Sequence, residues 1–120
     1  MPTLLELEDA PAETWPRLVR ELQKQHVHHH VTIEEWQPSI EEDDLATWVV
    51  VESAPLLGLS FTSMPQPAIE VAWRTPTGET RFHTAVSPAR LRHMRDPSGR
   101  EVELRIDRED GGTTLLYFTR

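Results

Sequence analysis

Apolar residues recur along this chain with two different periods, first that of a helix and then that of strands. The first pattern begins at Trp15 and recurs at intervals of three and four residues as far as His26. This spacing predicts a helix over residues 13–26 with one apolar face, and Thr14 can cap its first turn. So short a helix needs a surface to pack against, so we expect this face to be buried. Its members are Trp15, Leu18, Val19, Leu22 and His26.

From residue 27 onward, apolar and polar residues alternate, which predicts β-strands. Ala54-Pro55 interrupts one apolar run, since proline has no N–H to contribute to a sheet. Two Pro- and Gly-containing turns, Thr75–Gly78 and Asp96–Gly99, join successive strands. The expected strands are residues 27–34, Trp48–Ser53 resuming after the interruption at Leu59–Phe61, Ile69–Trp73, Thr80–Val86, Arg90–Met94, Glu101–Asp107 and Thr113–Thr119.

These elements predict an α+β fold. The N-terminal helix packs on a curved, mostly antiparallel meander sheet, or on a half-open barrel, of about six or seven strands. A chain of 120 residues makes one domain. Within it we expect a flexible N-terminal segment over residues 1–12, the helix over 13–26 and a β-rich region over 27–120.

Composition restricts the class of protein and its expected location in the cell. The chain is 38% hydrophobic and 27% charged, which is typical of a soluble globular protein. It has no apolar run near the roughly 20 residues that a membrane helix requires, and no secretion signal at its N-terminus. There is no cysteine, which excludes disulfides and thiolate metal sites. We therefore expect a cytoplasmic protein with no membrane partner.

Charge is distributed unevenly along the chain. Residues 25–73 contain eight acidic residues and no lysine or arginine, whereas residues 74–120 contain nine arginines and seven acidic residues. The net charge of −8 disfavours a nucleic-acid partner, although a helix followed by a bent sheet suggests an Sm-like binder by analogy. Opposed charges on one molecule favour a protein partner or a second copy. Alternatively, folding mixes both signs on the surface.

Several short motifs follow one another in a characteristic order. They are Trp15-Pro16, Val31-Thr32-Ile33-Glu34, Pro55-Leu56-Leu57-Gly58, His83-Thr84 followed by Pro88, and Gly112–Phe118. In this order they resemble Domain of Unknown Function 5335, a family of small bacterial proteins, from about Glu13 to the C-terminus. This family has no established activity, so the resemblance implies no cofactor or catalytic residue. One difference is that His28–His30 stands where such proteins tend to have a bulky apolar residue.

The histidine cluster, residues 26–30, is the first candidate for chemistry. On a strand, His28 and His30 would project to the same face and could chelate Zn²⁺, Ni²⁺ or Cu²⁺. A metal site needs three or four ligands, and Glu34 or Asp44 could complete this one. Alternatively, the strand face is solvated and His29 takes a core position by donating one ring hydrogen bond. We expect no cofactor beyond a weak or adventitious divalent metal.

An arginine run is the second candidate, because guanidinium groups bind carboxylates and phosphates at two points. It would bind an anion or an acidic partner, such as the acidic loop Glu41–Asp44 of a neighbouring molecule. Alternatively, its members pair with acidic residues of the next strand, such as Glu101, Glu103 and Glu109. The run consists of Arg90, Arg92 and Arg95, with Arg100 beyond the turn.

Tryptophan supplies a further candidate contact residue. Trp36 lies beside Pro38 on the polar face of its strand, and we expect it to be exposed and available to a partner. The other three tryptophans, Trp15, Trp48 and Trp73, are expected in the core.

No recognised catalytic motif is present. His83 or His93 could act as a general base only if a carboxylate oriented it, with Asp96 or Glu101 nearest in sequence, and we expect His83 to face water. The favoured function is therefore a non-catalytic protein-interaction or self-associating module. The alternatives are a metal- or small-ligand-binding protein that uses residues 26–30, and the Sm-like nucleic-acid binder that the charge disfavours.

Overall fold

Eight strands and one helix form the described part of the protein, residues 6–38 and 45–119 of a computed structural model. The α+β class and the antiparallel sheet are confirmed, but the strand count exceeds the six or seven expected. The helix α1 is Trp15–His26, after a 3-10 turn at Ala12–Thr14. The strands are β1 Glu8–Ala10, β2 His30–Pro38, β3 Leu45–Thr62, β4 Ala68–Arg74, β5 Thr80–Val86, β6 Pro88–Arg95, β7 Glu101–Arg108 and β8 Thr113–Thr119.

The sheet is open, with strand order β1-β6-β7-β8-β2-β3-β4-β5. Two meanders, β3-β4-β5 and β6-β7-β8, follow the order of the chain as expected. They are joined by β2, which pairs with β3 on one side and with β8 on the other. In the second pairing His30 lies opposite Thr119. Strand β8 thus supplies the neighbour of β2 on the side away from β3.

Strand β3 is 18 residues long and changes its partner near the middle. Its first part, as far as Pro55, pairs with β2, and its second part, from Leu56, pairs with β4. The expected interruption at Ala54-Pro55 is therefore a bend in a continuous strand. Register shifts and a left-handed backbone at Ser53, with φ of 51°, accompany this bend.

Helix α1 packs mainly on β3, and its buried face is the one that the sequence predicts. Val19 and Leu22 are fully buried, and Leu18 packs at the margin of the core. Gln23 Oε1 accepts a hydrogen bond from the Leu59 amide, which ties the helix to β3. Within residues 6–38 and 45–119, no helix combines the length and apolar character needed to cross a bilayer.

Of the N-terminal segment, residues 1–12, the structure describes residues 6–12. Residues 8–10 form β1, which pairs with β6 through Asp9 opposite Arg92. Trp15 Nε1 donates to the Ala10 carbonyl at 2.8 Å, so the helix also holds this strand. The predicted cap is absent: the Thr14 hydroxyl donates to the Pro11 carbonyl instead of accepting from the helix.

The tryptophans depart from the expected division in two places. Trp15 and Trp73 are buried as predicted, but Trp48 is 46% exposed. Trp36 is only half-buried, and the Arg105 guanidinium lies 5.5 Å from the centre of its ring. A cation covers its face, so Trp36 is less available to a partner than its sequence position suggests.

Replacing Leu104 tests the assignment of the core face of β7. Leu104 is completely buried, so we predict that Leu104→Ala lowers the free energy of unfolding by about 2–5 kcal/mol in urea titrations. Val86→Ala, at an exposed position of β5, should change it by less than about 0.5 kcal/mol. Equal losses in the two variants would contradict the assignment.

Candidate functional site

The histidine cluster does not form the expected strand face. His28 lies in the turn after α1 with a φ of 72°, and β2 begins only at His30. His29 is half-buried, and its Nδ1 accepts a hydrogen bond from Arg100 at 2.9 Å, so its ring accepts where donation was expected. Over residues 6–38 and 45–119, no group of three or more His, Asp or Glu side chains could hold a metal ion. Asp44 lies outside the described residues.

His26 belongs to the core. Its Nε2 donates to the Glu101 carbonyl at 2.6 Å, and its ring stacks on Phe118 with the centroids 4.4 Å apart. Its Nδ1 is buried without a hydrogen-bond partner. Burial is the main reason that the pKa of His26 lies below its usual value, and the nearby Arg100 charge lowers it further.

The arginine run is engaged in ion pairs. Arg90 binds Asp9 of β1 through two nitrogens, Arg92 binds Asp107 at 3.1 Å, and Arg95 binds Glu101 at 2.7 Å. The hydrogen bond from Arg90 holds the pKa of Asp9 below its usual value. These contacts match the alternative of pairing within the fold, although two of the three carboxylates are not those suggested. The acidic loop Glu41–Asp44 lies outside the described residues.

A buried carboxylate, Glu35, binds side chains from three other strands. His83 Nε2 donates to it at 2.7 Å, and Thr114 and Arg108 also donate to it. Burial alone would raise the pKa of Glu35, but these three hydrogen bonds together hold it below its usual value. His83 was expected to face water, yet its side chain is 25% exposed and bound to Glu35. The cluster joins β2 to β5, β7 and β8 through one buried carboxylate.

Two sequence signals mark the Glu35 cluster. Glu35 continues the inward series Val31, Ile33 along β2, where an acidic residue is out of place unless it has partners. Gly112 lies against Arg108, because a Cβ there would come within 2.0 Å of a guanidinium nitrogen. Neither signal shows that His83, 48 residues away in the chain, supplies the third donor.

A second buried carboxylate, Glu101, lies at the floor of a cleft of about 370 Å³ between β1, α1 and β6. His93 Nδ1 donates to it at 2.9 Å and Arg95 Nε donates at 2.7 Å. Glu101 is thus the carboxylate that orients His93, as one of the two pairings considered from the sequence requires.

The open edge of β3 (residues 46–53) is a candidate binding surface. On the side of β3 away from β2, no strand within the described ranges pairs with these residues. Trp48 is 46% and Val49 is 52% exposed there. Where β3 and β4 diverge, a groove of about 370 Å³ lies between residues 51–55 and residues 73–76, with Trp73 and Pro76 among its lining residues.

Strand β5 forms another end of the sheet, with Phe82 61% exposed. It differs from the open edge of β3 in charge, because it carries two basic side chains, Arg81 and His83, of which His83 reaches inward to Glu35. The open edge of β3 therefore combines more of the features of a binding surface.

Comparison with protein-family models, with curated proteins and with solved structures finds no match for this chain. The resemblance to Domain of Unknown Function 5335 stays a prediction.

The Glu35–Arg108 pair can be tested by a double-mutant cycle. We predict that Glu35→Met and Arg108→Met each lower the free energy of unfolding by about 3–5 kcal/mol, because each leaves a buried charge without its partner. The double variant should lose less than either single variant, since it leaves neither charge behind. Urea titrations measure all four proteins, and additive losses would show that the two side chains are not coupled.

The lowered pKa of His26 predicts that the stability of the protein depends on pH. Its folded pKa is lowered, so between that value and the unfolded value of about 6.5 the unfolded chain binds more protons. Its contribution to stability is therefore complete above pH 6.5 and is lost as the pH falls through the folded pKa. We predict a smaller loss between pH 7 and pH 5 for His26→Gln than for the unmodified protein, measured by urea titration. Equal losses would contradict this role.

Proposed function

We propose that this protein is a non-catalytic, self-associating interaction module. In this proposal, two copies join through the open edge of β3, so that their sheets become continuous. The observation that carries it is the exposed Trp48 and Val49 on a strand whose outer side has no partner within the described residues. Unpaired N–H and C=O groups on such an edge form hydrogen bonds with any added strand.

The composition of this edge supports a covered state. Natural edge strands are protected against association by lysine, proline or inward-pointing charges. Residues 46–53 contain none of the first two and only one charged residue, Glu52. An edge of this kind is an aggregation hazard unless a partner occupies it. We therefore expect a specific partner strand to cover residues 46–53 in the functional state of the protein.

A second copy suits this edge for reasons of symmetry and charge. An antiparallel pair of identical strands has a two-fold axis, so the same edge serves both sides and the assembly closes as a dimer. Residues 46–53 themselves carry a single charge, Glu52, so the paired strands add little repulsion of their own. By contrast, the described arginines of β6 are engaged with carboxylates, which leaves the apolar edge as the stronger basis for association.

The setting of this function follows from the same sequence features. A chain without cysteine suits the reducing cytoplasm, where we place the protein. We also propose membership of the Domain of Unknown Function 5335 family, supported by the order of the motifs from Trp15-Pro16 to Gly112–Phe118.

A charge on the open edge tests the proposal. Light scattering coupled to gel filtration should show a concentration-dependent dimer for the unmodified protein. Val49→Lys should weaken the dimer about tenfold or more, because it places an ammonium group on the apolar edge that the second copy covers. Phe82→Lys is the matched control, since it adds the same charge on the exposed strand β5; it should leave the dimer unchanged.

Two results would overturn the proposal. One is a monomer at all concentrations of the unmodified protein, which would leave the edge to a strand from a different protein. The other is a dimer that Phe82→Lys dissociates and Val49→Lys does not, which would assign the interface to β5.

A further inference from the structure

The cleft between β1, α1 and β6 has an unpartnered nitrogen at its floor. His93 is buried, with only 8% of its side chain exposed, and it lines the cleft. Its Nδ1 carries a proton, because it donates to Glu101, a carboxylate that also accepts from Arg95. The acidic oxygen facing Nε2 is Glu8 Oε2 at 3.9 Å, which is too long for a hydrogen bond. In the described part of the chain, Nε2 has no hydrogen-bond partner.

A small outward movement of Glu8 would let a donor with more than one N–H bond bridge His93 Nε2 and Glu8 Oε2. Both atoms are hydrogen-bond acceptors when the imidazole is neutral, since its single proton lies on Nδ1. A tetrahedral nitrogen that donates to two acceptors at about 2.8 Å holds them roughly 4.6 Å apart. The separation here is 3.9 Å, and the Glu8 side chain is 64% exposed and can move outward by the difference.

Glu8 favours a cation over a neutral donor, because within the described residues it is the cleft carboxylate with no lysine or arginine bound to it, whereas Asp9, Glu21 and Glu101 are paired with Arg90, Lys24 and Arg95. Four carboxylates and two guanidinium groups line it. These are Glu8, Asp9, Glu21, Glu101, Arg17 and Arg95. Beside them, Ala10, Pro11 and Leu18 provide apolar surface that can contact the methylene groups of an alkyl chain.

We propose that this cleft binds a primary alkylammonium group, with the nitrogen between His93 Nε2 and Glu8. Two sources share this chemistry, the side chain of a lysine in another protein and a small free amine. Glu101 acts as a positioning residue, because it sets the proton on Nδ1 of His93 and so leaves Nε2 free to accept. This site is separate from the open edge of β3, and the inference does not depend on the proposed dimer.

Nuclear magnetic resonance with butylammonium tests the site. Butylammonium chloride should shift the His93 ring nitrogens and the amides of residues 8–10, and 1-butanol at the same concentration and ionic strength should not. Glu8→Gln should weaken binding about tenfold, through loss of a charge-assisted hydrogen bond. Glu13→Gln is the matched control, an exposed acidic residue outside the cleft, and should bind as the unmodified protein does.

The other outcomes of this experiment either overturn the proposal or identify the source of the amine. Equal shifts from butylammonium and 1-butanol, no response of His93, or equal affinities for Glu8→Gln and Glu13→Gln would each overturn the proposal. A blocked Gly-Lys-Gly peptide that binds more tightly than butylammonium, with no binding of its Nε-acetyl form, would identify a protein lysine. Weaker binding of the peptide than of butylammonium would identify a free amine.

Discussion

The structure depends on the change of partner within β3 at Pro55 and Leu56. Proline cannot donate to a neighbouring strand, and at this point β3 leaves β2 and begins to pair with β4. The turn after α1 is attached to the same place, because the His28 amide donates to the Leu56 carbonyl and the Leu56 amide donates to the His29 carbonyl. The helix, β2 and β4 are therefore all positioned by two adjacent residues.

The same change of partner produces the open edge of β3. Because β4 pairs only with the second part of β3, residues 46–53 have no described neighbour on that side. The two strands diverge there and leave the groove beside Trp73. The binding surface proposed here is thus a direct consequence of how the sheet bends to enclose its core.

Two buried carboxylates show how similar residues lead to different roles. Glu35 is bound by Arg108 and His83, and Glu101 is bound by Arg95 and His93. In the first cluster, Thr114 completes a set of donors directed at one buried group. In the second, His93 presents its other nitrogen to a cleft. A buried charge is tolerated in both because it is paired, and in the second the histidine's other nitrogen lies in the cleft.

The sequence by itself determined the local elements, since helix and strand periods are read from neighbouring residues. The buried face of α1, the strands Thr80–Val86 and Thr113–Thr119, and the antiparallel hairpins were all predictable in this way. The pairing of β2 with β8, the partners of Glu35 and the exposure of Trp48 were not. These depend on which distant segments come together, and a strand pattern specifies the face that a residue occupies but not the strand that lies beside it. Tertiary structure alone decided that the arginines pair internally and that the uncovered surface is an apolar edge.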